Sequence, residues 1–244
     1  MGGPGLHACV ERQVLGVRLP QVNFWDQPPV PAAGDGFRTL LDAVIAEVER
    51  MSAAHCGPIR LMAHSFAAHL ASELLEQIPH RIAACHLIGA VYDIPAAYLN
   101  LLGVMANAGT TAEAHRQRIV TFLEGRAGRT ADKQEIRDYY RLILADAGFL
   151  RHYWPDAARY AACAADGPAF DFATFENVMD GFLRRWRDRP VPYTGPLEIL
   201  IELGDRDPLL DLARERRLWQ RRFPGARIIV RRGSAHFIHM ESCF

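Results

Sequence analysis

The chain has 244 residues, half of them hydrophobic and 23% charged, with 28 basic side chains set against 28 acidic ones; this is the balance of a globular domain with one large core and excludes disorder, collagen-like repeats and a disulfide scaffold. A formal charge of zero provides no basic field to condense on phosphate, so a small-molecule substrate is expected rather than nucleic acid or an anionic bilayer. The five cysteines, Cys9, Cys56, Cys85, Cys163 and Cys243, are odd in number and never form C-x-x-C; with no signal-like opening and no apolar run near the ~20 residues of a membrane span, they predict free thiols in a soluble cytoplasmic protein.

The chain opens in a glycine loop, Gly2-Gly3-Pro4-Gly5, followed by a short helix around His7 to Leu15. The apolar run Gln21 to Trp25 reads as a strand stopped by Asp26-Gln27-Pro28-Pro29. From Gly36 to Met51, apolar Phe37, Leu40, Leu41, Val44, Ile45 and Val48 recur three and four apart, which predicts an amphipathic helix. Pro58 to Ala63 is a short apolar strand, His64-Ser65-Phe66 a sharp turn, and Ala67 to Ile78 a helix. Ile82 to Val91 is a further buried strand. The stretch 96–190 carries helical periodicity without a convincing strand and is read as a helical insertion, with capping-box patterns at Thr110 to Glu113 and Asp132 to Glu135. Beyond a proline-rich linker, Leu197 to Leu203 is a strand, Leu209 to Phe223 a helix, and Ala226 to Arg231 a last strand entering Gly233-Ser234-Ala235-His236. The expected architecture is α/β: a mostly parallel sheet with helices on both faces, a core of residues 1–95 and 191–244, and a helical cap of residues 96–190.

In a parallel sheet, reactive side chains belong at the carboxyl ends of strands. Three such ends carry Ser65, Asp207 and His236, in that order. A serine hydroxyl is a weak nucleophile until a histidine takes its proton, and the histidine needs a carboxylate to hold its tautomer and stabilise its cation. Ser65 lies between a strand and a helix with small residues, Ala63 and Ala67, on either side, as a nucleophile elbow requires. The competing role for Ser65 is a helix N-cap. Asp205 and Asp93 are rival acids, with Asp207 preferred, and His239 is expected to serve in packing or to face solvent. The chain has no G-x-G-x-x-G opening a helix, no Walker loop, no H-E-x-x-H and no paired-cysteine metal pattern, so no cofactor and no metal are expected.

The glycine loop, Asp26-Gln27, the Ser65 elbow, Gly204-Asp205-Arg206-Asp207 and His236 together resemble the α/β-hydrolase superfamily, and the glycine loop followed by Asp-Gln resembles its proline iminopeptidase branch of capped serine hydrolases. The resemblance implies an oxyanion hole built from the backbone N–H groups of Gly3 and Phe66. It also implies three strands ahead of the glycine loop and a helix after the histidine. The chain begins at that loop and stops at Phe244, so the N-terminal strands and C-terminal helix are expected to be missing, through a late start, a truncated or divergent product, or a homo-oligomer or partner that completes the sheet. The cap aromatics Phe149, Tyr153, Trp154, Phe170, Phe172, Phe175, Phe182 and Trp186 are available to line an apolar pocket. Glu124, Glu135 and Glu176 are available to hold a substrate amine, with nothing to select among them, and the basic run Arg184 to Arg189 reads as a solvated helix end.

The expected function is hydrolysis of an ester or amide of a small, apolar substrate through an acyl-enzyme, as an esterase or aminopeptidase. The alternative is a divergent, catalytically weak or inactive hydrolase-fold domain serving as a binding or assembly module.

Overall fold

The computed structural model describes residues 4, 8–31, 33–125, 133–146, 148–154, 158, 170–186 and 190–241. Among the described residues four strands, β1 (Ile59–His64), β2 (Ile82–Ile88), β3 (Glu198–Gly204) and β4 (Arg227–Arg231), form one sheet in the order β1-β2-β3-β4, and every pairing is parallel. Among the described residues the α-helices are α1 (Cys9–Leu15), α2 (Gly36–Ala54), α3 (Ala67–Gln77), α4 (Ile94–Asn107), α5 (Glu113–Gly125), α6 (Lys133–Leu144), α7 (Phe172–Arg185), α8 (Leu212–Arg222) and α9 (Ile238–Glu241). No helix among the described residues is long and apolar enough to cross a membrane.

Local chemistry fixes the helix starts. Asp35, Asp93, Asp171 and Asp211 stand at the N-caps of α2, α4, α7 and α8, each accepting a backbone N–H from the first turn. The Asp211 cap explains why α8 begins at Leu212 rather than at Leu209. β2 stops at Ile88 rather than running to Val91 because Gly89 turns the chain with φ +52°. The core lies between sheet and helices, where Leu70 and Leu74 of α3, Leu87 of β2, Ile201 and Leu203 of β3 and Trp219 of α8 are all but inaccessible. The Trp219 indole also donates to the Ala90 carbonyl at 3.1 Å, so its one polar atom is satisfied.

Gln21 to Trp25 does not form the expected strand. Arg12 donates to the Phe24 carbonyl at 2.9 Å and Asn23 to Glu47 of α2 at 3.2 Å, so the segment is held by side chains of neighbouring helices rather than by a ladder. Among the described residues β1 is therefore a sheet edge, and it alternates accordingly: Arg60 is exposed and Met62 is 43% exposed.

The carboxyl ends of β3 and β4 meet closely. A Cβ on Gly204 would collide with the carbonyl oxygens of Ala235 and Ser234. Gly204→Ala is thus expected to displace the loop leading to His236 and to destabilise the fold by about 1–3 kcal/mol. Thermal unfolding checks this against Gly57→Ala, where an added methyl meets nothing within 4 Å and is expected to leave Tm nearly unchanged.

Candidate active site

Ser65 follows β1 in a left-handed backbone conformation, φ +57°, which costs a non-glycine residue roughly 1–3 kcal/mol. Its N–H donates to the Ile88 carbonyl at 2.9 Å, pinning the turn to the end of β2. Ala63 and Ala67 are buried at 5% and 4% exposure, so methyl groups fit where strand and helix approach. The residue at the N-cap of α3 is Phe66, not Ser65. The serine hydroxyl is engaged elsewhere: Ser65 Oγ lies 2.9 Å from His236 Nε2, and His236 Nδ1 lies 2.7 Å from Asp207 Oδ2. With Nδ1–H donating to the carboxylate, Nε2 is left as the acceptor of the serine proton. His236 and Asp207 are 2% and 6% exposed, so these bonds form where water competes poorly.

The rival acids are otherwise occupied. Asp205 Oδ1 accepts the Gly233 N–H at 2.7 Å, tying the β3 loop to the β4 loop. Asp93 caps α4, with Oδ1 accepting from the Ala96 N–H at 3.1 Å, and pairs with Arg214. Asp207 Oδ1 accepts the Leu209 N–H at 2.9 Å, which orients the carboxylate whose other oxygen meets His236.

A family model described as the alpha/beta hydrolase family matches residues 11–243. The chain belongs to the alpha/beta hydrolase family. Among solved structures it is similar to a proline iminopeptidase-related protein from Thermus thermophilus, at 19% identity and TM-score 0.61, over 99% of this chain and 82% of that one. It is also similar to 2-hydroxy-6-oxo-6-phenylhexa-2,4-dienoate hydrolase from a Rhodococcus species, at 13% identity and TM-score 0.59, over 98% of this chain and 83% of that one. An esterase from Exiguobacterium antarcticum is similar at 13% identity and TM-score 0.54, over 99% of this chain and 85% of that one. At these identities the likeness concerns the fold. No curated protein sequence matches the chain significantly.

Ser65 and His236 open onto a cleft walled by Ile94, Tyr98, Tyr140, Phe149, Phe170 and Phe175 among others. Among the described residues lining it there is no carboxylate, guanidinium or ammonium group. The three glutamates available for an amine are not in the wall, and Glu176 pairs with Arg141 at 3.0 Å. Of the remaining aromatics, Tyr153 lines the cleft, Phe182 packs on Phe37, Phe66 and His69, Trp154 stacks on Phe237, the Trp186 indole donates to the Tyr92 carbonyl at 3.3 Å, and Phe172 is 40% exposed. Arg184 and Arg185 pair with Asp35, while residues 187–189 lie outside the described residues. Phe66 lines the cleft at the start of α3, where helix N–H groups have no intrahelical acceptor. Gly3 lies outside the described residues. Cys85 is buried, which pushes its thiol up to about 12 and leaves it a packing residue.

Several positioning groups carry no local sequence signal. Both oxygens of Glu241 accept the Ala235 N–H, at 3.0 and 2.9 Å, and the His236 N–H donates to the Tyr153 carbonyl at 3.1 Å. His64 donates from Nε2 to the His236 carbonyl at 3.0 Å. Burial first, and then the nearness of the His239 and His236 rings, holds its pKa well below the ordinary histidine value. Glu215 accepts the N–H groups of Tyr92 and Asp93, at 2.7 and 2.9 Å, and so holds the loop after β2.

Burial raises the Glu215 carboxyl from 4.5 to about 7 against the opposing pull of those two N–H groups. Between about 4.5 and about 7 the unfolded chain ionises while the folded chain keeps this proton, so the stability it contributes is complete below that window and is lost as pH rises through it. The loss is on the order of 3 kcal/mol. Denaturant unfolding at about pH 5 and about pH 8 is expected to show this decline in the wild type and a smaller one in Glu215→Gln.

Proposed function

We propose that the chain is a serine hydrolase that cleaves an ester or amide bond of a small, uncharged, apolar substrate through an acyl-enzyme. Ser65 Oγ attacks the carbonyl carbon as His236 Nε2 takes its proton, and Asp207 stabilises the resulting imidazolium. The Phe66 N–H, with that of Gly3 as the family resemblance implies, holds the developing oxyanion. His236 then protonates the leaving alcohol or amine, draws a proton from water, and the resulting attack releases the acid and regenerates Ser65. Residues 96–190 act as the cap over a hydrolase core of residues 1–95 and 191–244.

The observation that carries this reading is the unbroken hydrogen-bond chain from Asp207 through His236 to Ser65. The charge-free wall of the cleft favours esters with apolar acyl groups over aminopeptidase substrates, because a protonated amine buried there would lack a counter-ion among the described residues. The alternative of a binding or assembly module draws on the exposed edge of β1, but it gives no reason for a serine held in a left-handed turn within reach of a buried imidazole.

On a panel of p-nitrophenyl esters and aminoacyl p-nitroanilides, apolar esters are expected to be the better substrates. Ser65→Ala should lower kcat by about 10,000-fold or more, and Asp207→Asn by a similar order. Unchanged ester turnover in Ser65→Ala refutes the assignment.

A further inference from the structure

Where α1 meets α9, next to the end of β1, lies a second group of convergent side chains, none of which takes a proton-transfer or nucleophilic role in the proposed reaction. We propose that Glu11 of α1, His64 at the end of β1 and His239 of α9 form a binding site for a divalent transition-metal ion of the zinc class. One ligand atom from each of the three lies within 4.8 Å of the other two, and the group is largely buried. Two imidazoles and one carboxylate are the donor set that zinc and cobalt accept, with a fourth position left to water.

His64 carries the strongest indication. Its Nε2–H donates to the His236 carbonyl at 3.0 Å, which fixes the tautomer and leaves Nδ1 as a bare lone pair. Metal-bound histidines show this arrangement, one nitrogen on the metal and the other anchored to a backbone carbonyl. Nδ1 is buried and has no hydrogen-bond partner among the described residues. A buried acceptor without a donor is costly unless water or a cation meets it. Glu11 brings a carboxylate that is only 8% exposed to the same place.

The spacing suits an ion better than a direct contact. Glu11 Oε1 and His239 Nε2 are 3.9 Å apart, too far for a good hydrogen bond. Two ligands each ~2.0–2.1 Å from a tetrahedral zinc stand about 3.4 Å apart, so a shift of roughly half an ångström closes the Glu11–His239 pair, and side-chain rotations that bring atoms now within 4.8 Å of one another closer by about 1.4 Å at most close the site. The ion would join α1, β1 and α9, and through His64 it would brace the carbonyl of His236. The three ligands come from distant segments, which is why no metal motif is visible in the sequence. The proposal does not depend on the identity of the substrate or on Ser65 being active.

Chelator-treated full-length protein titrated with Co²⁺ tests the site directly. The expected result is a saturable visible d–d spectrum of low-symmetry, tetrahedral type that added Zn²⁺ abolishes. Glu11→Gln and His239→Gln, checked for native far-ultraviolet circular dichroism, are each expected to weaken Co²⁺ binding on the order of 10–100-fold or more. A wild-type chain that gives no saturable spectrum overturns the proposal without recourse to any variant. So does a spectrum that both folded variants retain at unchanged affinity, since the ion then binds elsewhere.

Discussion

The His236 imidazole is engaged at both nitrogens, by Asp207 at 2.7 Å and by Ser65 at 2.9 Å, in a site where it is 2% exposed. A buried imidazole stripped of such partners would be expensive, so the surrounding structure has to deliver both of them together. The rest of the strand-end architecture can be read as that delivery. Asp205 clasps the Gly233 amide, Glu241 clasps the Ala235 amide, and the Tyr153 carbonyl receives the His236 N–H. Gly89 and Gly204 leave room for the carbonyl oxygens of the histidine loop, where a side chain would collide. The strained backbone at Ser65 persists because these contacts, together with the Ser65 N–H bond to Ile88, over-determine it.

The cleft complements this polar chain by being apolar elsewhere. Aromatic rings and aliphatic side chains from α4, α6 and α7 face the serine, and none of the described lining residues carries a full charge. An apolar wall excludes water and strengthens the few electrostatic interactions at the reacting centre. For the proposed hydrolase this wall would disfavour a charged substrate group, which would be desolvated with no counter-ion among the described lining residues. Burial elsewhere raises Glu215, which holds the loop after β2, and lowers His64, so the segments that carry the site are sensitive to proton balance.

Much of the fold is legible in the sequence because hydrophobic periodicity and strand-end position are local signals. The four strands, the long helix α2 and the serial positions of Ser65, Asp207 and His236 follow from runs a few residues long. The Gln21 to Trp25 segment misleads because an apolar, aromatic run reads as a strand whether or not a ladder exists to receive it, and here helix side chains hold its polar groups. The sequence reading prefers Asp207 but cannot give the physical reason, since two acids in one turn differ in which loop each side chain meets. Glu241, Glu215 and the pairing of His64 with the His236 carbonyl are invisible there, because each joins segments whose proximity only the folded chain creates.

Activation of the serine by its imidazole is measured, without presuming a substrate, by the rate of covalent labelling with a fluorophosphonate. Rapid labelling of Ser65 in the wild type, mapped by peptide mass spectrometry and falling by a factor on the order of 1,000 or more in a folded His236→Ala variant, is the predicted result. Labelling that is absent in well-folded protein, or that proceeds at the same rate without the imidazole, would contradict it.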